Sequence, residues 1–226
     1  MQLTSYSRSL VTNKTKGTHP RPLFTLNGDQ PMNTQPFHLF DLDGTVIDSL
    51  KRIEPCLLPN GDLDLAKYRA EACTHAKIQT DTFLPLYQEM RRLINTGAEV
   101  GICTARLMSK SDYYFLRQAG LKRVRFIASR DRLARYFGSQ APEIYAMGDA
   151  NYKRQWLDLL QGMFRDRPFI VYDDHNGVLN MAARIGCRTV DAKQYNALAR
   201  KYFNFGLDMG RDPILYSDFL DAVSIA

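Results

Sequence analysis

The chain has 226 residues and a mass of 25.9 kDa, with 45% hydrophobic and 24% charged residues. These ordinary globular values exclude a collagen-like, coiled-coil or wholly disordered chain, and the length predicts one domain of generous size. The net charge of +6 suits a polyanionic partner without requiring one, and a mean hydropathy of −0.34 without any long apolar run predicts no membrane span.

Residues 1–34 differ in composition from the rest of the chain. They are basic, rich in Ser, Thr and Asn, and contain no acidic residue before Asp29. We interpret them as a poorly ordered basic arm, followed by one folded domain over residues 35–226. The arm is either an inert terminus or a strap for phosphate backbones, and a transit peptide is a weaker alternative. The segment lacks the apolar core of a secretory signal.

Short apolar runs alternate with helical patterns from Phe37 onward. The predicted strands are residues 36–40, 99–103, 124–128, 168–172 and 187–190. The predicted helices are residues 81–95, 109–119, 150–162 and 176–185. This alternation predicts an α/β fold, a Rossmann-like parallel sheet with helices on both faces. Residues 46–80 read as a loop with one short helix, which leaves room for a minimal cap only and predicts an open site.

Polar residues follow four of the predicted strands. They are Asp41 and Asp43, then Thr104 and Arg106, then 129–131, then 173–175. Sites in parallel α/β sheets lie at the carboxyl ends of the strands, so these side chains are expected to meet. The four cysteines, Cys56, Cys73, Cys103 and Cys187, show neither CxxC pairing nor zinc spacing and predict reduced thiols.

The grouped residue types suit phosphoryl transfer. Asp41 and Asp43 directly precede Gly44, which allows a sharp turn after the strand, and two carboxylates at such a turn can share a cation while one stays free to attack. Asp173 and Asp174 would complete an oxygen cage for Mg²⁺. A hydroxyl and an ammonium group that could hold the phosphate are supplied by Thr104 and Lys153. This set predicts catalysis through an aspartyl-phosphate.

Four motifs resemble those of the haloacid-dehalogenase-like phosphatases. They are FDLDGTV, GICTAR, the lysine of YKRQWL, and IVYDD, in that order within residues 37–190. A closer resemblance is to the 3′-phosphatase domain of phage polynucleotide kinase–phosphatases, which carry arginines where Arg52 and Arg106 stand. No G-x-x-x-x-G-K-[ST] motif is present, so the kinase half of those proteins has no counterpart.

The resemblance implies a haloacid-dehalogenase-like core and a role for each motif residue. Asp41 would be the nucleophile and Asp43 the general acid and base. The implied phosphate and substrate ligands are Thr104, Lys153, Arg52 and Arg106. The implied Mg²⁺ ligands are Asp41, Asp43, Asp173 and Asp174. Which of Asp173 and Asp174 binds the metal directly stays open, and Arg154 competes with Lys153 for the role of the motif lysine.

The main functional prediction is a Mg²⁺-dependent polynucleotide 3′-phosphatase. The alternative is a 5′(3′)-nucleotidase acting on free (deoxy)nucleoside monophosphates, and the non-enzymatic alternative is a catalytically idle interaction module. The expected substrates are phosphorylated nucleic-acid ends or nucleotides, without a membrane partner. A cytoplasmic protein is expected, and a protein that a phage encodes and that acts in the host cytoplasm is compatible with this expectation. An exposed basic cluster on residues 110–125 could follow a nucleic-acid backbone or be a solvated face.

Overall fold

The computed structural model describes residues 35–60, 63–165 and 167–202. All of these residues belong to one compact unit, Pro31–Ala226. The predicted basic arm of residues 1–34 lies outside the described residues.

Seven strands and ten helices build the described part of the domain. The strands are β1 Phe37–Phe40, β2 Ile47–Asp48, β3 Thr82–Phe83, β4 Glu99–Thr104, β5 Ile127–Ser129, β6 Phe169–Asp173 and β7 Arg188–Asp191. The helices are α1 Leu50–Ile53, α2 Leu65–Lys67, α3 His75–Ile78, α4 Leu86–Asn95, α5 Lys110–Gln118, α6 Arg130–Phe137, α7 Ala141–Ala146, α8 Asp149–Met163, α9 Asn176–Arg184 and α10 Ala192–Tyr202.

Five of the strands form one parallel sheet in the order β5-β4-β1-β6-β7. β1 is central and fully buried, because every residue of the apolar run from Phe37 to Phe40 is covered. The ring of Phe40 in β1 stacks on the ring of Tyr172 in β6, with 4.0 Å between the ring centroids. The predicted α/β parallel sheet is therefore confirmed, and its centre carries the first aspartate motif at the carboxyl end of β1.

Three segments differ from the sequence-based expectations. The helix expected over 81–95 begins at Leu86, because Thr82–Phe83 pairs with β2 and Pro85 precedes the helix. The strand expected over 124–128 is shorter and shifted to Ile127–Ser129. Residues 130–146, for which no element was predicted, form α6 and α7.

The segment 46–80 contains more structure than the predicted loop with one helix. It holds β2, three short α-helices, a 3₁₀ turn at Glu54–Cys56 and a π-helical turn at Tyr68–Ala72. Cys56, Tyr68 and Ala72 form a small buried cluster of their own in it. We call residues 46–80 the insert. No described helix is long and apolar enough to cross a membrane, and all four cysteines are free.

Candidate active site

The chain turns sharply after β1, and Gly44 makes this turn possible. Its φ is +76°, and a Cβ atom at this position would lie 2.6 Å from Oδ2 of Asp174. A side chain is therefore excluded both by backbone strain and by the carboxylate beside it. The Asp-Gly pair thus brings the end of β1 against the end of β6.

Lys153 connects the two strand ends. Its Nζ lies 3.0 Å from Oδ1 of Asp41 and donates a 2.7 Å hydrogen bond to Oδ2 of Asp173. The lysine is 3% exposed, so both contacts are shielded from water. Arg154, the competing candidate, points outward and pairs with Asp158. The structure therefore places Lys153, and not Arg154, beside the two aspartates.

Asp41, Asp173 and Asp174 form a carboxylate cluster. They offer oxygen atoms that all lie within 4.8 Å of one another. Burial raises the pKa of Asp41 well above its ordinary value, and Lys153 opposes that shift while Asp173 adds to it. Burial and the charge of Asp173 also raise the pKa of Asp174. Three oxygen donors with this unfavourable charge fit Mg²⁺, which prefers carboxylate oxygens and would favour their ionised forms.

Asp43 is not part of that cluster in the described chain. Arg106 donates two hydrogen bonds to its carboxylate, one of them 2.9 Å from Nε, and Ser49 donates a third at 2.5 Å. Burial alone would raise the pKa of Asp43, but Arg106, Ser49 and Arg52 outweigh it and lower the pKa to about 2. The structure thus separates Asp43, predicted as a fourth metal ligand, from the other three carboxylates.

Arg52 and Arg106 belong to a buried ion-pair network rather than to a free phosphate-binding pair. Arg106 also contacts Asp81 at 2.9 Å and Asp112 at 3.0 Å. Arg52 donates a 2.7 Å hydrogen bond to Asp81 and lies 3.7 Å from Asp43. Arg106 lines a cavity over the carboxylate cluster, whereas Arg52 is not among the described residues that line this cavity. The geometry therefore supports a positioning role for Arg52 rather than direct contact with substrate.

Thr104 ends β4 next to the cluster. Its hydroxyl oxygen accepts a 3.2 Å hydrogen bond from the backbone N–H of Arg106, which leaves the hydroxyl hydrogen free to donate. The side chain is 1% exposed yet lines the cavity. The role of Thr104 as a donor to the phosphate stays a prediction.

A cavity of about 870 Å³ opens over these residues. Its wall includes the cluster, Lys153, Thr104 and Arg106, and the insert contributes five further residues, Ile53, Leu63, Leu65, Tyr68 and Arg69. The insert thus contributes to the wall of the site. The volume lies within the roughly 300–1,000 Å³ of small-molecule pockets.

Other singled-out residues take mostly structural positions. Arg130 is buried, donates to the carbonyl oxygens of Ile144 and Met147, and also lines the cavity. Asp149 is the first residue of α8 and pairs with Arg130, while Gly148 holds the N-cap position. His175 caps the start of α9, and Trp156 is in the core. The basic residues at 110, 117, 122, 123 and 125 are exposed.

The sequence of this chain is similar to those of known phosphatases. The family model described as bacteriophage T5 5′-deoxynucleotidase matches residues 29–218. The chain belongs to this family. A curated relative, the 5′-deoxynucleotidase of Escherichia phage T5, is 46% identical over 165 residues, which are 70% of this chain and 67% of the relative. The family match confirms the predicted class of phosphoric monoester hydrolase.

Two solved structures show distant likeness. One is a haloacid dehalogenase-like hydrolase from Streptococcus pneumoniae, with 15% identity, 69% of this chain and 83% of that chain covered, and a TM-score of 0.46. The other is a haloacid dehalogenase-superfamily hydrolase from Geobacter sulfurreducens, with 16% identity, 69% and 88% coverage, and a TM-score of 0.45.

Proposed function

We propose that this protein hydrolyses the phosphomonoester of deoxynucleoside 5′-monophosphates with the help of Mg²⁺. The observation that carries the proposal is the buried contact of Asp41 with Lys153 beside Asp173 and Asp174, at the wall of a cavity of small-molecule size. The family match favours this alternative over the polynucleotide 3′-phosphatase that was the main sequence-based prediction. Action in a host cytoplasm stays a prediction.

In the proposed first step, a carboxylate oxygen of Asp41 attacks phosphorus. The bond from phosphorus to the 5′ oxygen breaks, and that oxygen leaves as the deoxynucleoside hydroxyl with a proton from Asp43. Lys153 and Thr104 bind the phosphate oxygens and stabilise the charge that builds up on them. In the second step, Asp43 takes a proton from water, the resulting hydroxide attacks the aspartyl-phosphate, and inorganic phosphate leaves with Asp41 regenerated.

The contacts of Asp43 bear on the order of these events. Arg106 holds the carboxylate ionised, with its pKa lowered to about 2, and this is the form that accepts a proton from water. The first step needs the protonated form, so the pKa of Asp43 has to rise when the substrate is bound. Asp41, Asp173 and Asp174 would hold Mg²⁺, which when bound neutralises negative charge on the carboxylates and the phosphate.

The test is release of phosphate by the full-length protein from a matched panel. The panel holds a deoxynucleoside 5′-monophosphate, its 3′ isomer, the ribonucleotide, and an oligonucleotide with a 3′-phosphate. We expect the highest kcat/KM for the deoxynucleoside 5′-monophosphate, and loss of activity in excess EDTA. Asp41→Asn keeps the shape of the side chain and is expected to lower kcat by at least about 10³-fold. A higher kcat/KM for the oligonucleotide than for the deoxynucleoside 5′-monophosphate would overturn the proposed substrate. Full activity in excess EDTA would overturn the proposed need for a metal.

A further inference from the structure

The cavity wall carries a second kind of lining besides the charged groups. Leu63 and Leu65 of the insert and Tyr145 and Met147 around α7 are apolar or aromatic. Leu65 is 50% exposed, so part of its apolar surface is accessible to a bound molecule. A phosphate group does not bind favourably to apolar side chains. This part of the cavity wall therefore indicates that a less polar part of the substrate lies against it.

Arg69 and Tyr145 approach each other from two sides of this cavity. The guanidinium carbon of Arg69, in the insert, lies 5.6 Å from the centroid of the Tyr145 ring, in α7. The arginine is exposed and the tyrosine half-buried. One face of the ring is therefore covered by a planar, water-accessible cation, which can leave without opening the core.

A nucleobase would bind that ring face more strongly than the arginine does. Both groups are planar, but a cation over a partly exposed ring is a weak contact, whereas a base stacked on an aromatic side chain contributes more. The flanking leucines and Met147 would cover the apolar edges of the base and the sugar. Exchange of Arg69 for a base would thus be favourable.

We propose that the ring of Tyr145 is the stacking platform for the nucleobase of the substrate, and that Arg69 covers this ring when no nucleotide is bound. The inference rests on the proposed function, because it takes a nucleotide phosphate to be held by Lys153 and the carboxylate cluster. It adds the residue on which discrimination between a nucleotide and a base-free sugar phosphate depends.

The experiment compares two substrates with the full-length protein in Mg²⁺. One is a deoxynucleoside 5′-monophosphate and the other is 2-deoxyribose 5-phosphate, which has the same ester and sugar without the base. Tyr145→Ala is expected to raise KM for the nucleotide by about 10-fold to 100-fold, with little change in kcat. KM for 2-deoxyribose 5-phosphate should stay unchanged. Tyr145→Phe should retain the wild-type KM, and Tyr145→Leu, which keeps most of the volume, should behave like Tyr145→Ala.

The matched control is Tyr136→Ala. Tyr136 is a 40% exposed tyrosine on α6 that does not line the cavity, so its removal should change neither KM. Equal effects of Tyr145→Ala on both substrates, or no effect on either, would overturn the platform. Wild-type protein that hydrolyses both substrates with equal kcat/KM would overturn it too while leaving the phosphatase chemistry intact. No hydrolysis of either substrate would overturn the proposed function and this inference together.

Discussion

Arg106 is the residue whose surroundings differ most from its expected role. Its guanidinium group contacts three carboxylates, those of Asp43, Asp81 and Asp112, and is 2% exposed. A guanidinium group has five N–H donors, and those used here leave few for a phosphate. The contacts therefore favour a role in holding Asp43, the proposed general acid and base, at a fixed position.

Substitution of Arg106 by lysine separates the two roles. Lysine keeps the charge but cannot form the forked contacts, so Asp43 should lose its fixed position and kcat should fall by about 10²-fold, within the range of general acid–base catalysis. The inhibition constant of inorganic phosphate should change little. A large rise of that constant with unchanged kcat would instead show that Arg106 binds phosphate. Thermal denaturation serves as the control, because a broken buried ion pair also destabilises the fold, by about 3 kcal/mol or more.

Residues in motifs could be predicted from the sequence, and residues that support them could not. Asp41, Thr104, Lys153 and the Asp173–Asp174 pair follow recognisable strand or helix positions, and the structure brings them to one cavity. Asp81 lies outside every motif, in a segment expected to begin a helix. Its role is visible only in the folded chain, where Asp81 forms ion pairs with Arg52 and Arg106, which are distant in sequence. The sequence around a carboxylate that pairs with a distant buried cation contains no pattern that predicts this contact.

The turn after β1 is the element on which the carboxylate cluster depends. Gly44→Ala would force a Cβ atom against Asp174 and would also strain the backbone at positive φ. Gly97 is a matched control, since it has a φ of +81° but nothing within 4 Å of its would-be Cβ atom. Both variants should lose about 1–2 kcal/mol of stability from the backbone. Only Gly44→Ala should also lower kcat and raise the Mg²⁺ concentration needed for half-maximal activity. Equal activity of the two variants would contradict the close approach of Gly44 and Asp174.

The elements that the sequence did not predict are short and depend on tertiary contacts. Arg130 of α6 donates to the carbonyl oxygen of Ile144 in the 6-residue helix α7 and to that of Met147 just after this helix. The insert is likewise held by Arg52, which donates to the backbone oxygen of Ala72 and to Asp81. Helices of a single turn or two are not stable by propensity alone. Their existence follows from partners that are distant in sequence.

At the scale of the whole molecule, the net charge of +6 is compatible with a small dianionic substrate as well as with a polymer. The charge raises the local concentration of either anion, so it could not decide between the two predictions. The cavity wall contributed by the insert is a feature that the charge could not reveal, because its five residues lie in a segment whose sequence predicted only a loop with one short helix.

Stability of the whole domain should depend on pH through His38 in the central strand. Burial lowers the pKa of this histidine below its ordinary value of 6.5, and Arg92 and Arg188 add to the shift while Glu89 opposes it. Its Nδ1 lies 2.9 Å from the hydroxyl of Tyr172. The folded chain thus binds a proton less readily than the unfolded chain, so the contribution of His38 is fully present above pH 6.5 and is lost as the pH falls below that value. By pH 5.5 the loss should reach at most about 1.4 kcal/mol.

The measurement is urea denaturation of the wild type and of His38→Phe at pH 7.5 and at pH 5.5. Phenylalanine keeps a ring beside Tyr172 but cannot take up a proton, so the variant should lose less stability than the wild type between the two pH values. The difference at pH 7.5 gives the effect of packing and of the lost hydrogen bond, and subtracting it isolates the protonation. If both proteins lose the same stability on acidification, His38 does not remain less readily protonated in the folded chain. A smaller loss in the variant would mean that the central strand itself limits the acid stability of the domain.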